Sequence, residues 1–296
     1  MTALETRDLR IAYRAGWRRQ ERVAVHGLSF QVAPGEVVGF IGPNGAGKSS
    51  TIKSLMGFVE PSGGEARLLG EPAGSPAARR QVGFLPEVAL YYPWLTPAET
   101  LWMYGRLAGL DAEFTRKQSL ELLERVGLKG RENERLKGFS KGMLQRVGIA
   151  QALLGNPKLL ILDEVSSGLD PLGRRDLRDL LLEQKEKGVT LFFSSHELTE
   201  VAQLCDRVIL LNRGRLLDER PVGDLVRELR RYWVHFRCSG EPPLPARQKG
   251  ELWEAEFSTF AEWRRALEIL HAPAAEVIDA GEREGALEDY FVRMVS

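Results

Sequence analysis

The sequence predicts an α/β protein, a parallel sheet covered by helices that is interrupted by a helical insertion and followed by a small α+β appendage. Three observations carry that reading. Val37 to Ile41 and Leu159 to Leu162 are short, continuously apolar runs, the character of strands buried on both faces. Such runs alternate with helical patterns, as parallel βα units require. From Thr96 to about Leu154, by contrast, there is helical periodicity with almost no strand signal.

Residues 23 to 41 hold two apolar segments separated by the turn Ala33-Pro34-Gly35-Glu36. The second is a buried strand, followed at once by a glycine-rich loop and by a helix that carries Ile52, Leu55 and Met56 and ends at Gly57. The insertion opens with Thr96-Pro97-Ala98-Glu99, in which Thr96 caps, Pro97 takes the first helical position and Glu99 closes a capping box. Further on, a helix from Arg174 to Lys187 ends at Gly188, a strand reads VTLFFSS, a short helix spans Glu197 to Leu204, and RVILLN is another strand. The composition shifts after about Pro221. RYWVHFRC and ELWEAEFS read as strands around the proline-rich turn Glu241 to Pro245, with Trp233, Phe236, Trp253 and Phe257 as their core. An amphipathic Phe260 to Leu270 and a closing Leu287 to Val295 complete the appendage.

Of 296 residues, 43% are hydrophobic and 28% charged, which excludes a disordered chain. Lysine and arginine total 41 against 41 acidic residues, and zero net charge argues against a protein that coats nucleic acid, so no nucleic-acid partner is expected. No apolar run approaches the roughly 20 residues that cross a bilayer. The N-terminus lacks the layout of a signal peptide, and two cysteines, Cys205 and Cys238, are too few for a disulfide framework. A soluble protein of a reducing, cytosolic compartment is expected.

Gly42-Pro43-Asn44-Gly45-Ala46-Gly47-Lys48-Ser49 matches the pattern G-x-x-x-x-G-K-[ST] and lies between a predicted strand and a predicted helix, the context the motif needs. Glycines let backbone N–H groups converge on phosphate oxygens, the helix N-terminus adds partial positive charge, Lys48 reaches the terminal phosphates, and the Ser49 hydroxyl suits Mg²⁺. A second element, Leu159-Leu160-Ile161-Leu162-Asp163-Glu164, ends a buried strand in two carboxylates, at the sheet edge where open parallel sheets bind ligands. Asp163 is the candidate for the magnesium and Glu164 the candidate general base for an attacking water.

Taken in order, these residues resemble the nucleotide-binding subunits of ATP-binding cassette (ABC) transporters. Phe139-Ser140-Lys141-Gly142-Met143-Leu144-Gln145-Arg146 stands where that family carries its signature loop, LSGGQ. Ser166-Ser167-Gly168-Leu169-Asp170-Pro171 resembles the D-loop, Ser194-Ser195-His196 the switch histidine, and Tyr13 is placed like the aromatic that stacks on adenine, ahead of the first strand pair. The resemblance implies a P-loop NTPase core of the ABC ATPase type over residues 1–225, a helical subdomain at approximately 88–155, and an accessory α+β domain over 226–296. It implies ATP and Mg²⁺ as cofactors, with Tyr13, Gly42, Pro43, Asn44, Gly45, Ala46, Gly47, Lys48, Ser49 and Ser50 at the nucleotide, and Ser49 and Asp163 at the metal. Glu164 and His196 are the implied catalytic pair. Ser140, Lys141, Gly142 and Met143 would complete the site of a partner subunit, with Asp170 linking the two sites, so a head-to-tail dimer is expected, either a homodimer or a pair with a paralogous ATPase subunit.

The sequence departs from the family pattern in places. Lys141 replaces the first glycine of the signature and Met143 its glutamine, Val165 and Ser166 replace the proline and threonine after the acidic pair, and Glu87 stands at the Q-loop glutamine. Glu87 could orient water or approach magnesium. Glu87, the altered signature and the appendage ending Leu287-Glu288-Asp289-Tyr290-Phe291 favour export. The resemblance therefore implies an ATPase that is peripheral on the cytoplasmic face of the membrane and powers a separate integral-membrane permease. The alternatives are a soluble ABC ATPase of translation or DNA repair, and a regulatory module that binds nucleotide without hydrolysis. Tyr91, Tyr92, Trp94 and Trp102 fall where the resemblance places a groove for the permease, although core packing is equally open to them. The arginine-rich stretch RAGWRRQER, residues 14–22, reads as a solvated loop lengthening a β-hairpin in preference to a contact for a membrane surface or nucleic acid.

Overall fold

A computed structural model describes residues 2–15, 20–88, 90–195, 197–271, 275–283 and 287–295. In chain order the elements are β1 (Leu4–Ala15), β2 (Gln20–Val32), β3 (Val37–Ile41), α1 (Lys48–Leu55), β4 (Gly63–Leu68), β5 (Glu71–Pro72), α2 (Pro76–Arg79) and β6 (Val82–Leu85). There follow α3 (Pro97–Leu107), α4 (Ala112–Arg125), α5 (Lys141–Leu153), β7 (Leu159–Asp163), α6 (Pro171–Glu186), β8 (Thr190–Ser194), α7 (Leu198–Leu204), β9 (Arg207–Asn212) and β10 (Arg215–Pro221). The chain closes with α8 (Val222–Leu229), β11 (Arg231–Cys238), β12 (Arg247–Lys249), β13 (Leu252–Phe257), α9 (Phe260–Leu270), β14 (Ala275–Arg283) and α10 (Leu287–Val295).

The chain divides into two compact units, Met1–Arg220 and Pro221–Ser296. The division falls ahead of α8 rather than at the expected 225/226, because α8 packs on α10 within the second unit, where Arg293 pairs with Glu228 at 2.9 Å.

In the first unit, a six-stranded sheet runs in the order β10-β9-β3-β8-β7-β6, and its neighbours from β9 to β6 are parallel. β3, β7 and β8 are buried at every residue, which is why they read as unbroken apolar runs. An antiparallel sheet, β2-β1-β4-β5, is joined to it by one core. Phe30 of β2 stacks with Phe40 of β3 and Phe192 of β8, with ring centroids 5.8 and 5.6 Å apart. Each such ring contributes about 1.5–3 kcal/mol by its burial. Tyr13 corrects the expectation for its position, since it lies on β1 itself, opposite Arg22 of β2. β1 escapes sequence reading because Asp8 adopts φ 47° and shifts the register between Thr6 and Leu9, so the apolar alternation changes phase within the strand. Trp17, Arg18 and Arg19 of the arginine-rich stretch lie outside the described residues.

Between β6 and β7 come α3, α4 and α5. α3 begins with the expected capping box of Thr96 and Glu99, and Asp111 caps α4. Tyr91 is half-buried and its hydroxyl donates to Gln151 Oε1 at 3.0 Å, whereas Tyr92 and Trp94 are exposed and lie 5.2 Å apart. Among the described residues no helix is long and apolar enough to cross a membrane.

The second unit is a four-stranded sheet, β12-β13-β11-β14, whose core joins Val234, Phe236 and Ala255 to Ala266 and Leu270 of α9. Trp253 and Phe257 pack on that core, but Trp233 does not share it. Trp233 is three residues from Phe236, and a strand's period of two turns them to opposite faces. Trp233 lies instead beside His235, with ring centroids 4.6 Å apart.

Candidate functional site

β3, β7 and β8 lie side by side in parallel register, Phe40 beside Ser194 and Ser194 beside Asp163, so the chain leaves all three strands at one edge. The candidate residues gather there. After β3 the backbone turns through residues 42–47 and enters α1 at Lys48. Gly47 holds φ 109°, and a Cβ on it would come within 2.7 Å of the Ala24 carbonyl oxygen, so only glycine fits between the loop and β2. α1 consequently starts without a side-chain cap, an arrangement that leaves its first N–H groups to an anion.

Lys48 is only 6% exposed, and its ammonium donates to Gly42 O at 2.6 Å and Pro43 O at 3.3 Å. Burial pushes its pKa below the ordinary lysine value, against the pull of the Glu164, Asp163 and Glu87 carboxylates. Asp163, 3% exposed, ends β7. Burial raises its carboxyl above the usual aspartate value, opposed by hydrogen bonds donated to Oδ1 by Ser194 Oγ at 2.6 Å and Ser49 Oγ at 3.4 Å. Ionisable groups buried this deeply are costly and cluster at functional sites.

Glu164 turns the chain sharply off β7 with φ 52°, a left-handed conformation unusual for a residue with a Cβ. Its N–H donates to Ser194 Oγ at 3.0 Å. The Ser194 hydroxyl thus orients both acidic residues, a role missed in the sequence because only the register of two parallel strands brings it there.

Around these groups is a cavity of about 770 Å³ whose lining includes Tyr13, Arg22, Lys48, Ser49, Glu87 and Glu164. The Tyr13 hydroxyl donates to Ser50 Oγ at 3.1 Å. A second cavity, about 510 Å³, lies by the residues that lead into the strands, Pro34, Lys158 and Thr190, and contains none of the candidate residues.

The signature residues are held elsewhere. Ser140 caps α5, its Oγ accepting from Met143 N at 3.2 Å, and Asp170 caps α6, accepting from Gly173 N at 3.0 Å. Ser140, Lys141 and Asp170 are exposed, and neither they nor Gly142 and Met143 line the 770 Å³ cavity. His196 lies outside the described residues.

A glycine loop opening a helix at the carboxyl edge of a parallel sheet, with a buried lysine facing two successive acids, defines a P-loop nucleoside triphosphatase. Residues 25–167 match the family model described as ABC transporter. The chain is 37% identical to an uncharacterized ABC transporter ATP-binding protein of Synechocystis over 99% of its own length and 84% of that protein's. It is 32% identical to the Nod factor export ATP-binding protein I of Burkholderia orbicola, over 94% and 93% of the two chains. A solved ATP-binding subunit of an ABC transporter matches with TM-score 0.69 and 36% identity, over 76% of this chain and 92% of that one. The chain belongs to the ABC transporter ATP-binding proteins, and it is an ATPase.

Proposed function

We propose that this chain is the ATP-hydrolysing subunit of an exporter, acting as a head-to-tail homodimer on the cytoplasmic face of the membrane and driving a separate integral-membrane permease. One observation carries the dimer. Lys48, Ser49 and Glu164 line one cavity, with Asp163 bonded to Ser49 behind it, whereas Ser140 and Asp170 are displayed outside it, so a second copy is needed to bring the two sets together. Both sets are present in one sequence, which favours identical partners. Relatedness to a Nod factor export protein and the residue at the Q-loop, Glu87, support export. Exposed Tyr92, Trp94 and Trp102 offer an apolar contact for a permease segment.

In this reading the loop amides and the Lys48 ammonium bind the phosphates, and Tyr13 stacks on adenine beside Ser50. The Ser49 hydroxyl and Asp163 carboxylate, 3.4 Å apart, are hard oxygen donors that fit Mg²⁺. The metal, when bound, neutralises charge on the β and γ phosphates. Glu164 accepts the proton of the attacking water, its backbone pinned by Ser194, and Glu87 helps to orient that water. His196 contacts the γ phosphate. From the partner, Ser140 and the N-terminus of α5 face the same phosphate, Asp170 linking the two sites.

The test uses Glu164→Gln protein, which should bind ATP, stop hydrolysing it and run as a dimer in light scattering. Affinity purification from membranes should recover an integral-membrane protein. A Glu164→Gln protein that stays monomeric with ATP, even beside that membrane protein, removes the dimer. Recovery of ribosomes or DNA in its place removes transport.

A further inference from the structure

Lys141 is a departure from the signature pattern, and the fold gives it a partner. It is the first residue of α5, exposed, and its ammonium donates to Ser167 Oγ at 3.0 Å. Its methylenes lie over Gly168, where an added Cβ would come within 2.9 Å of Lys141 Cγ and Cδ. One residue along, helix and loop backbones nearly touch, since a Cβ on Gly142 would lie 2.9 Å from Gly168 O. Deeper still, Gln145 is 4% exposed and donates from Nε2 to Val165 O at 2.7 Å. Residues 141, 142 and 145 occupy one face of α5, because positions i and i+4 stack along a helix. That face is fastened to residues 165–168, the stretch that joins Glu164 to Asp170.

We propose that Lys141 is a positioning residue that latches the N-terminus of α5 onto the 164–170 loop, so that Ser140 and Asp170 are presented to a partner as one body. A glycine in its place supplies neither the donor to Ser167 nor the aliphatic cover over Gly168. The latch is set within one subunit, and its consequence for assembly rests on the dimer proposed above. Because the ammonium is exposed, its removal changes rates and affinities by a few-fold, not by orders of magnitude.

Two measurements test this. In the nucleotide-free full chain, the amides of Ser167 and Leu169, which donate to Glu164 O and Ser166 O, report loop order by hydrogen exchange. Lys141→Met keeps most of the stem and removes the charge. It should speed exchange of both amides by about 3–10-fold. Ser167→Ala should do the same, the double variant no more than either, and Lys141→Arg should restore protection. Unchanged exchange in Lys141→Met overturns the latch. In a Glu164→Gln background, Lys141→Met should then weaken the ATP-dependent dimer by about 5-fold while leaving the monomer's ATP affinity unaltered. A dimer weakened by Lys141→Met but not by Ser167→Ala shows that the charge acts directly on the partner, and also overturns the latch. A parent Glu164→Gln protein that never dimerises removes the dimer reading alone, the latch being decided by exchange.

Discussion

Lys48 and Asp163 are 6% and 3% exposed, while Ser140, Lys141 and Asp170 stand in solvent, although both groups are assigned to one reaction. The buried group is held at evident cost. Its charges are shifted against their ordinary ionisation, Glu164 takes a left-handed backbone, and the Ser194 hydroxyl serves two acidic residues at once. The exposed group is held by ordinary local geometry. Ser140 and Asp170 cap helices as serines and aspartates do in proteins without any catalytic role. The difference teaches that one group is fixed in place by its own fold, while the other is left on display, free to act on a second copy in the dimer proposed above.

The largest expected effect lies in the buried half. Lys48→Ala should lower phosphate release by about 10²–10³-fold, the loss typical of removing one preorganised electrostatic contact. Activity within a few-fold of the parent would take the loop out of catalysis. Ser140→Ala sharpens the contrast. Locally it costs the cap, about 1 kcal/mol of stability. Hydrolysis should fall further than that, about 10-fold or more in the assembled protein, with ATP affinity of the monomer unchanged in nucleotide titration. Equal losses in monomer affinity and in hydrolysis would show that the halves are not separate.

The smallest effect concerns the scaffold beneath the loop. Glu36 precedes β3, and its carboxylate accepts from Arg207 Nε at 2.7 Å, Arg207 Nη2 at 2.9 Å and Ala33 N at 2.9 Å. Burial alone would raise its pKa, but the bonds from Arg207 and Ala33 outweigh it and hold the carboxyl below the ordinary 4.5. A lowered value means stability that is present above pH 4.5 and lost as pH falls through the folded-state pKa. Glu36→Gln should therefore cost about 1–2 kcal/mol at pH 7 in urea unfolding, the gap closing below pH 4.5. A gap that stays constant down to pH 3 would exclude the ion pair as its source.

Much of the buried half was legible in sequence because its signals are local. The strand, glycine loop and helix around Lys48 occupy one short segment, and Asp163 and Glu164 close an apolar run whose period marks a strand. The capping box at Thr96 was equally readable, since partners three residues apart meet in any helix. Tyr13 was identified but its strand was not, because the bulge at Asp8 hides the alternation. The strand pattern reads Trp233 and Phe236 together as core, but their odd spacing turns Trp233 to the other face. The unit boundary slipped to Arg220/Pro221 because α8 belongs by packing to an element near the end of the chain.

By itself, then, the sequence determined the phosphate loop, the two acids and the family, because backbone conformation and neighbouring side chains follow from adjacent residues. Only the tertiary structure decided that Ser194 holds Asp163 and the Glu164 amide, that Tyr13 reaches Ser50, and that Lys141 meets Ser167. Those pairs lie 26 to 37 residues apart along the chain. What brings them together is the register of parallel strands and the approach of a helix to a loop, and these are set by packing of the whole core rather than by any local spacing.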